Sequence, residues 1–182
     1  MRRAFPAPPA YPLPDGRDLM RWIWIDRFER FESGREAVAV KAVTAAEEHL
    51  HDLYPGFPVF PHSLIVEGMA QTAGILVGEA KGFAEKVILA KIGKAEFHRL
   101  VRPGQTLRYH ATADTINDAG ASITGRVTAG DGEAEHVADI SLMFSHIDQN
   151  MAGIEFPEHN FVFTEQFMEL LANFRKDVDV RL

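Results

Sequence analysis

The 182-residue chain has no cysteine. That excludes a disulfide framework, a thiolate metal site and a cysteine nucleophile, and it fits a reducing compartment. There is no Gly-x-Gly-x-x-Gly fingerprint, no Walker loop and no Gly-x-Ser-x-Gly elbow, so nothing points to nucleotide phosphates or to α/β-hydrolase chemistry. The longest nearly uncharged stretch, 54–78, is interrupted by Pro55, Pro58, Pro61, His62, Glu67 and Gln71. Its helical part is shorter than the roughly 20 residues of a bilayer span. Cations are scarce: 19 Lys and Arg stand against 26 Asp and Glu, a net charge of −7. Such a chain is a poor general binder of nucleic acid, whose phosphates demand clustered cations. The first residues carry arginines but no apolar run of signal-peptide length, and their prolines would break a targeting helix. These absences predict a cytoplasmic protein with neither nucleic acid nor membrane as partner.

Apolar residues make up 46% of the chain, enough for one packed core at this size. Five of the ten prolines fall at positions 6, 8, 9, 12 and 14, so residues 1–16 read as an extended arm. From Trp22 to Val43 the pattern is that of a hairpin. Trp22, Trp24, Asp26 and Phe28 are assigned to one side of its first strand, Ile23, Ile25 and Arg27 to the other, and Ser33-Gly34 to its turn. Residues 45–63 read as an irregular loop, and three prolines at three-residue spacing bar helix and central strand from its second half.

A helix is predicted from about Leu64 to Gly82, with Ser63 as its N-cap. It is apolar on most sides, the mark of a buried helix. It also carries Gly68, Gly74 and Gly78, each costing roughly 1 kcal/mol against alanine. Close approach by a wrapping backbone would offset that cost. Strands follow at 87–92, 94–100, 106–116, 121–129 and 135–147, with turns at Pro103-Gly104, Asn117–Gly120 and Gly130–Gly132. A strand pair, a buried helix and then antiparallel strands define an α+β class. Residues 161–174 read as an amphipathic helix capped by Asn160 or Thr164. The division is thus an arm (1–16), a core domain (17–147) and a C-terminal extension (148–182).

The chemistry concentrates at the start of the buried helix. Free amides of a helix N-terminus stabilise anions and developing oxyanions. Glu67 sits alone among apolar residues on the second turn, where burial would raise its pKa and suit it to act as an acid. Gln71, one turn later on the same face, would orient it. From residue types alone, a structural role for Glu67, paired with an arginine or facing solvent at an oligomer edge, stands equally open. His98, His110, His136 and His146 fall in predicted strands and His159 in the tail. Their spacing gives no third ligand, so no metal is predicted. Between Lys81 and Arg108, seven cations stand against Glu85 and Glu96, a stretch able to steer an acidic partner or simply to be solvated.

The segment Pro55-Gly-Phe-Pro-Val-Phe-Pro-His-Ser-Leu-Ile-Val-Glu-Gly-Met-Ala-Gln71 resembles the signature of the bacterial 3-hydroxyacyl-(acyl-carrier-protein) dehydratases of the FabZ/FabA type. Trp24-Ile-Asp-Arg27, the run from Leu89 to Gly104 and Asp139-Ile-Ser-Leu-Met-Phe144 look like further segments of that family, in order. The resemblance implies a hotdog fold, a curved antiparallel sheet wrapped around one long central helix. It implies dehydration of a 3-hydroxyacyl thioester without a cofactor, an acyl carrier protein or acyl-CoA substrate, and a homodimer or higher even oligomer. By the same resemblance Glu67 is the acid, the amides of His62 and Ser63 polarise the thioester carbonyl, and Phe60, Pro61, Ser63 and Gln71 contact substrate. One position departs from the pattern: Leu53 stands where the family has its histidine, and leucine cannot transfer a proton. His62 or His51 would then supply the base from a shifted position. Loss of turnover, leaving an acyl-binding or accessory protein, and a switch to thioester hydrolysis are the alternatives.

Overall fold

The computed structural model describes residues 23–130, 134–147, 150–151, 154–155, 160, 162–163, 165–174 and 180–181. The arm at 1–16, Trp22, the turn residues Asp131 and Gly132, His159 and Thr164 lie outside them.

Strands β1 (Arg27–Glu32) and β2 (Glu36–Ala42) form the expected hairpin, closed by Gly34 at φ 66°. The alternation expected over 22–28 does not hold: residues 23–26 precede the strand, Trp24 and Ile25 are both buried, and Asp26 and Arg27 are both exposed. The register slips between Phe28 and Arg30, so Phe28 and Phe31 both turn into the core at 1% exposure. A bulge shifts every following side chain to the other face. The loop after β2 is less irregular than expected. It holds a one-turn helix, α1 (His49–Asp52), whose Leu50 is buried in the core.

Helix α2 (His62–Glu79) starts two residues earlier than expected. Pro61, not Ser63, is the N-cap: its extended backbone (φ −60°, ψ 135°) ends the loop, and its carbonyl accepts the amides of Leu64 and Ile65. No side chain caps this end. The helix stops before Gly82 and Phe83, both in the left-handed region, where Phe83 N–H returns to the Gly78 carbonyl.

The two expected strands at 87–100 are one, β3 (Lys86–Phe97), with register shifts at Leu89/Lys91 and Ile92/Lys94. Strands β4 (Thr106–Asn117), β5 (Gly120–Ala129) and β6 (Glu135–Ile147) follow as read. Leu107, Tyr109 and Ala111 alternate inward on β4, and Ile140, Leu142 and Phe144 on β6. The Asn117 side chain accepts the amides of Ala119 and Gly120 and makes the β4–β5 turn. After β7 (Asn150–Met151) and β8 (Ile154–Glu155), helix α3 (Glu165–Phe174) begins later than expected, and β9 (Val180–Arg181) pairs with β1. The main sheet runs β3-β6-β5-β4-β2-β1-β9, antiparallel except at β1–β9, and α2 packs against β2 through β6 on its inner face.

The helix glycines serve aromatic rings more than backbone. A Cβ on Gly68 would lie 2.4 Å from Cζ of Tyr109, and one on Gly78 2.4 Å from Cζ of Phe163.

On the outer face, Arg108 reaches across β2 to Glu29, with Nε 2.9 Å from Oε2, and its Nη1 donates to the Gly130 carbonyl. Partial burial pushes the Glu29 carboxyl up, but Arg108 and then Arg27 more than offset this and hold it below its ordinary value. A carboxyl lowered by folding contributes stability that is present above its unfolded pKa of about 4.3 and is lost as pH falls through the folded value. Glu29→Gln is therefore expected to flatten the acid limb of stability below about pH 4.3. Urea midpoints at pH 3 and pH 7 measure it, and an unchanged difference between the two would contradict the assignment.

Candidate active site

The residues singled out in the sequence divide between two cavities on either side of the α2 N-terminus. The first, about 440 Å³, has Glu67 and Gln71 at one end and Val162 and Phe163 at the other. The second, about 410 Å³, is lined by Phe60, Pro61, His62 and Ser63 together with Leu53 and Leu100. His51 belongs to neither. It is exposed, with its ring nitrogen bonded to the Ala45 carbonyl.

Glu67 is held by a short chain of hydrogen bonds. The Trp24 amide donates to Gln71 Oε1 (2.8 Å), and Gln71 Nε2 donates to Glu67 Oε1 (2.9 Å). A backbone N–H can only donate, so it fixes which end of the Gln71 amide faces it and turns the NH₂ toward Glu67. Oε1 is thereby an acceptor, and Oε2 is the oxygen free to carry a transferable proton. Gln71 orients Glu67 as the spacing suggested. The expected burial is not found. Glu67 is exposed, at the rim of the apolar cavity.

His62 opens α2, and its ring lies flat on Phe97 at 4.0 Å between centroids. Its Nε2 is buried without a partner among the described residues. It does not meet Glu67 within the chain. Five residues along a helix advance about 7.5 Å and turn about 140°, so the two side chains point into different cavities. His62 does share its cavity with Leu53. Phe60, though on that cavity's wall, is 1% exposed, with its ring edge-on to Trp24 and His49. His49 was not singled out in the sequence. Its ring also meets Trp24 edge-on, and its Nε2 is likewise buried and unpartnered among the described residues. The signal for it was only its place between two conspicuous aromatics, which become neighbours through folding.

The helix start keeps the amides of His62 and Ser63 pointing outward. The first amides of a helix lack intrahelical acceptors, and here no cap takes them. The loop before them is pinned by Phe60 N–H on the Val101 carbonyl (2.8 Å). Around the second cavity Leu53, Tyr54, Phe57 and Leu100 are exposed, as are Leu89, Ile92 and Met143 near the free edge of β3.

The basic stretch is largely spent within the chain. Lys81, Lys94, Arg99 and Arg108 pair with Asp118, Glu96, Glu135 and Glu29. Arg102 lies over the Phe57 ring, 4.7 Å from its centroid, at the second cavity.

On the outer face, His98, His136 and Asp139 come together, a trio the spacing did not indicate. Both Nε2 atoms reach the Asp139 carboxylate, at 2.9 and 3.1 Å. The His98 bond, followed by the charge and bond of His136, holds that carboxyl below its ordinary value despite some desolvation. Burial, then Arg126 and Arg108, push His110 down, and burial pushes the Tyr109 hydroxyl up. Tyr109 lies in the core and has no place in proton transfer at neutral pH.

A curved antiparallel sheet wrapped around one long helix is the hotdog fold, and that places this chain among the hotdog proteins. The FabA-like domain family matches residues 17–140, and the chain belongs to it. It is 38% identical over 117 residues to a protein named 3-hydroxyacyl-(acyl-carrier-protein) dehydratase FabZ of Jannaschia sp. (strain CCS1), covering 63% of this chain and 70% of that one. It is 34% identical over 125 residues to the protein of the same name from Pelotomaculum thermopropionicum, covering 68% and 87%. Among solved structures, the dehydratase heterocomplex ApeI:P from Xenorhabdus doucetiae matches with a TM-score of 0.57 at 14% identity, over 70% of this chain and 84% of that one. A hypothetical thioesterase with coenzyme A from Streptococcus pneumoniae matches at 0.54 and 10%, over 68% and 87%. At such identities these two speak for the fold alone. Among the described residues no helix is long and apolar enough to cross a membrane.

Proposed function

We propose that the chain is a hydro-lyase of fatty acid or related acyl-chain biosynthesis. It would convert a 3-hydroxyacyl thioester on an acyl carrier protein to the 2-enoyl thioester in the cytoplasm. The observation that carries this is the Trp24–Gln71–Glu67 chain at the rim of an apolar cavity. The relatives bearing the dehydratase name support the reaction. The working unit is a homodimer of 17–147 domains with the 148–182 extension attached. In it, Glu67 of one protomer and His62 of the other share one site, closed over the free edge of β3 and the exposed apolar residues beside it. Covering by the second protomer then supplies the desolvation that one chain lacks.

In that site His62 takes a proton from C2. The electron pair becomes the C2–C3 double bond, the C3–O bond breaks, and Glu67 delivers its Oε2 proton so that the hydroxyl leaves as water. The amides of His62 and Ser63 stabilise the charge that gathers on the thioester oxygen. Acid, base and carbonyl polarisation complete the chemistry, and no cofactor is called for. Arg102, beside the second cavity, is the cation placed to meet an acidic carrier protein or the phosphate of acyl-CoA.

The test is complementation. His62→Ala and Glu67→Gln proteins, each inactive with a 3-hydroxyacyl carrier-protein substrate, are expected to regain about a quarter of wild-type enoyl formation when co-refolded, because half of the dimers are mixed and each mixed dimer has one intact site. No recovery from mixed dimers of demonstrated composition would remove the shared site. The same assay on His51→Ala decides between the two loop histidines, full activity being expected.

Leu53 favours a second reading, an acyl-thioester-binding accessory protein without turnover. Co-purified acyl chains with no enoyl product would establish it, and release of free thiol from acyl-CoA would instead reveal a thioesterase.

A further inference from the structure

The far end of the Glu67 cavity is built by a segment outside the 17–140 family match. Asn160 clamps that segment to the α2–β3 connection. Its Nδ2 donates to the carbonyls of Phe83 and Glu85 at 3.1 and 3.3 Å, and its Oδ1 accepts the amides of Val162 and Phe163 at 3.0 Å. Phe163 then seats its ring on Gly78, at a spot where any Cβ would collide with it. Phe83, at φ 57°, presents its ring edge-on to Phe163 at 5.0 Å, and the Phe167 ring packs against Phe163 at 5.8 Å. Phe163 is 9% exposed and belongs to the core. The segment is therefore keyed in place by a polar clamp, a glycine notch and an aromatic stack.

We infer that Phe163 and Phe167 form the floor of the acyl groove and limit this protein to acyl chains of about 13 carbons or fewer; the inference rests on the dehydratase reading of Glu67. The length follows from the helix. Glu67 and Gly78 are 11 residues apart, about 16 Å at 1.5 Å per residue. Roughly 4 Å of that is taken up by contact distance at the ring, leaving about 12 Å. An extended chain advances about 1.2 Å per bond, a third of the rise of a three-bond residue, so about ten bonds fit beyond the C3 carbon at Glu67. Because the floor is aromatic and held from three sides, a longer chain cannot displace it by rotating one side chain. The cavity runs between α2, the β3 residues Val87 and Leu89 and Phe144 of β6. Beyond Glu67 and Gln71 its walls offer the chain an apolar lining.

The test measures two quantities across 3-hydroxyacyl chains of 4 to 16 carbons on the full-length protein: dehydration, and binding of unreactive thioether analogues. The wild-type protein is expected to lose at least tenfold in both between 12 and 16 carbons. Phe163→Ala and Phe167→Ala are each expected to raise the 16-carbon value relative to the 8-carbon value by about tenfold. Should Phe163→Ala fail to fold, Phe167→Ala and Asn160→Ala, which loosens the clamp without cutting into the core, make the same prediction. Length profiles unchanged in folded variants would overturn the floor while leaving dehydration intact. Length-selective binding that responds to these variants without any enoyl product would uphold the floor and overturn the dehydratase reading. Absence of binding at every length would overturn both.

Discussion

Glu67→Gln is expected to lower dehydration turnover by about 10²–10³-fold, within the range for removing a positioned proton donor, while the melting temperature stays within about 2 °C. The substituted amide is nearly isosteric. Its carbonyl oxygen still accepts the Gln71 N–H bond, so the Trp24–Gln71 chain keeps its geometry. What is lost is the proton on the second oxygen. An NH₂ group at that place can hydrogen-bond the departing hydroxyl but cannot turn it into water. Because Glu67 is exposed in the single chain, the change creates neither a cavity nor an unpaired buried charge, and stability has no reason to fall. The decisive measurement is kcat with a 3-hydroxyacyl carrier-protein substrate beside a thermal melt of the same preparation. Full turnover in the folded variant would take Glu67 out of the mechanism.

Gly68→Ala is expected to destabilise the protein by about 2–3 kcal/mol, the cost of overpacking a filled core, or roughly 8 °C in melting temperature at this chain length. The added methyl would stand 2.4 and 2.8 Å from two ring carbons of Tyr109 and 2.5 Å from its hydroxyl oxygen, on a side chain that is fully buried and cannot swing away. Gly74→Ala, on the same helix, supplies the contrast. Its Cβ would meet Phe144 at 3.5 Å, an ordinary contact, so the gain in helix propensity, up to about 1 kcal/mol, is expected to show as stabilisation. Replacing Tyr109 by leucine should make Gly68→Ala less costly than in the wild type, a coupling that a double-mutant cycle measures. Equal costs in both backgrounds would mean that the ring is not what excludes the methyl.

These two neighbours, Gly68 and Glu67, show how far residue patterns carry. Both were conspicuous in the sequence, one as a costly glycine and the other as a lone carboxyl in an apolar run. The helix was legible because its apolar residues recur over five turns, and β4, β5 and β6 because turn residues mark off the runs between them. Gln71 was legible as the partner of Glu67 because four residues on a helix bring two side chains together whatever the surroundings. Other readings failed where one local rule met another. Ser63 suits an N-cap by type, but Pro61 already holds the extended backbone that ends the loop. The alternation read over 22–28 failed because the strand begins only at Arg27, and before it Trp24 and Ile25 both turn inward while Asp26 stays exposed.

Chain-local physics thus determined the α+β class, the order of its elements and the pairing of Glu67 with Gln71, since period, turn chemistry and helix spacing act over fewer than a dozen residues. Folding in three dimensions decided everything that depends on distant partners. It sent His62 and Glu67 into separate cavities, gathered His98 with His136 and Asp139, tied Trp24 to Gln71 across 47 positions, and laid Phe163 against Gly78. Those contacts arise from how a twisted sheet closes on a helix, and the sequence intervals between their members carry no periodicity from which the meeting could be read.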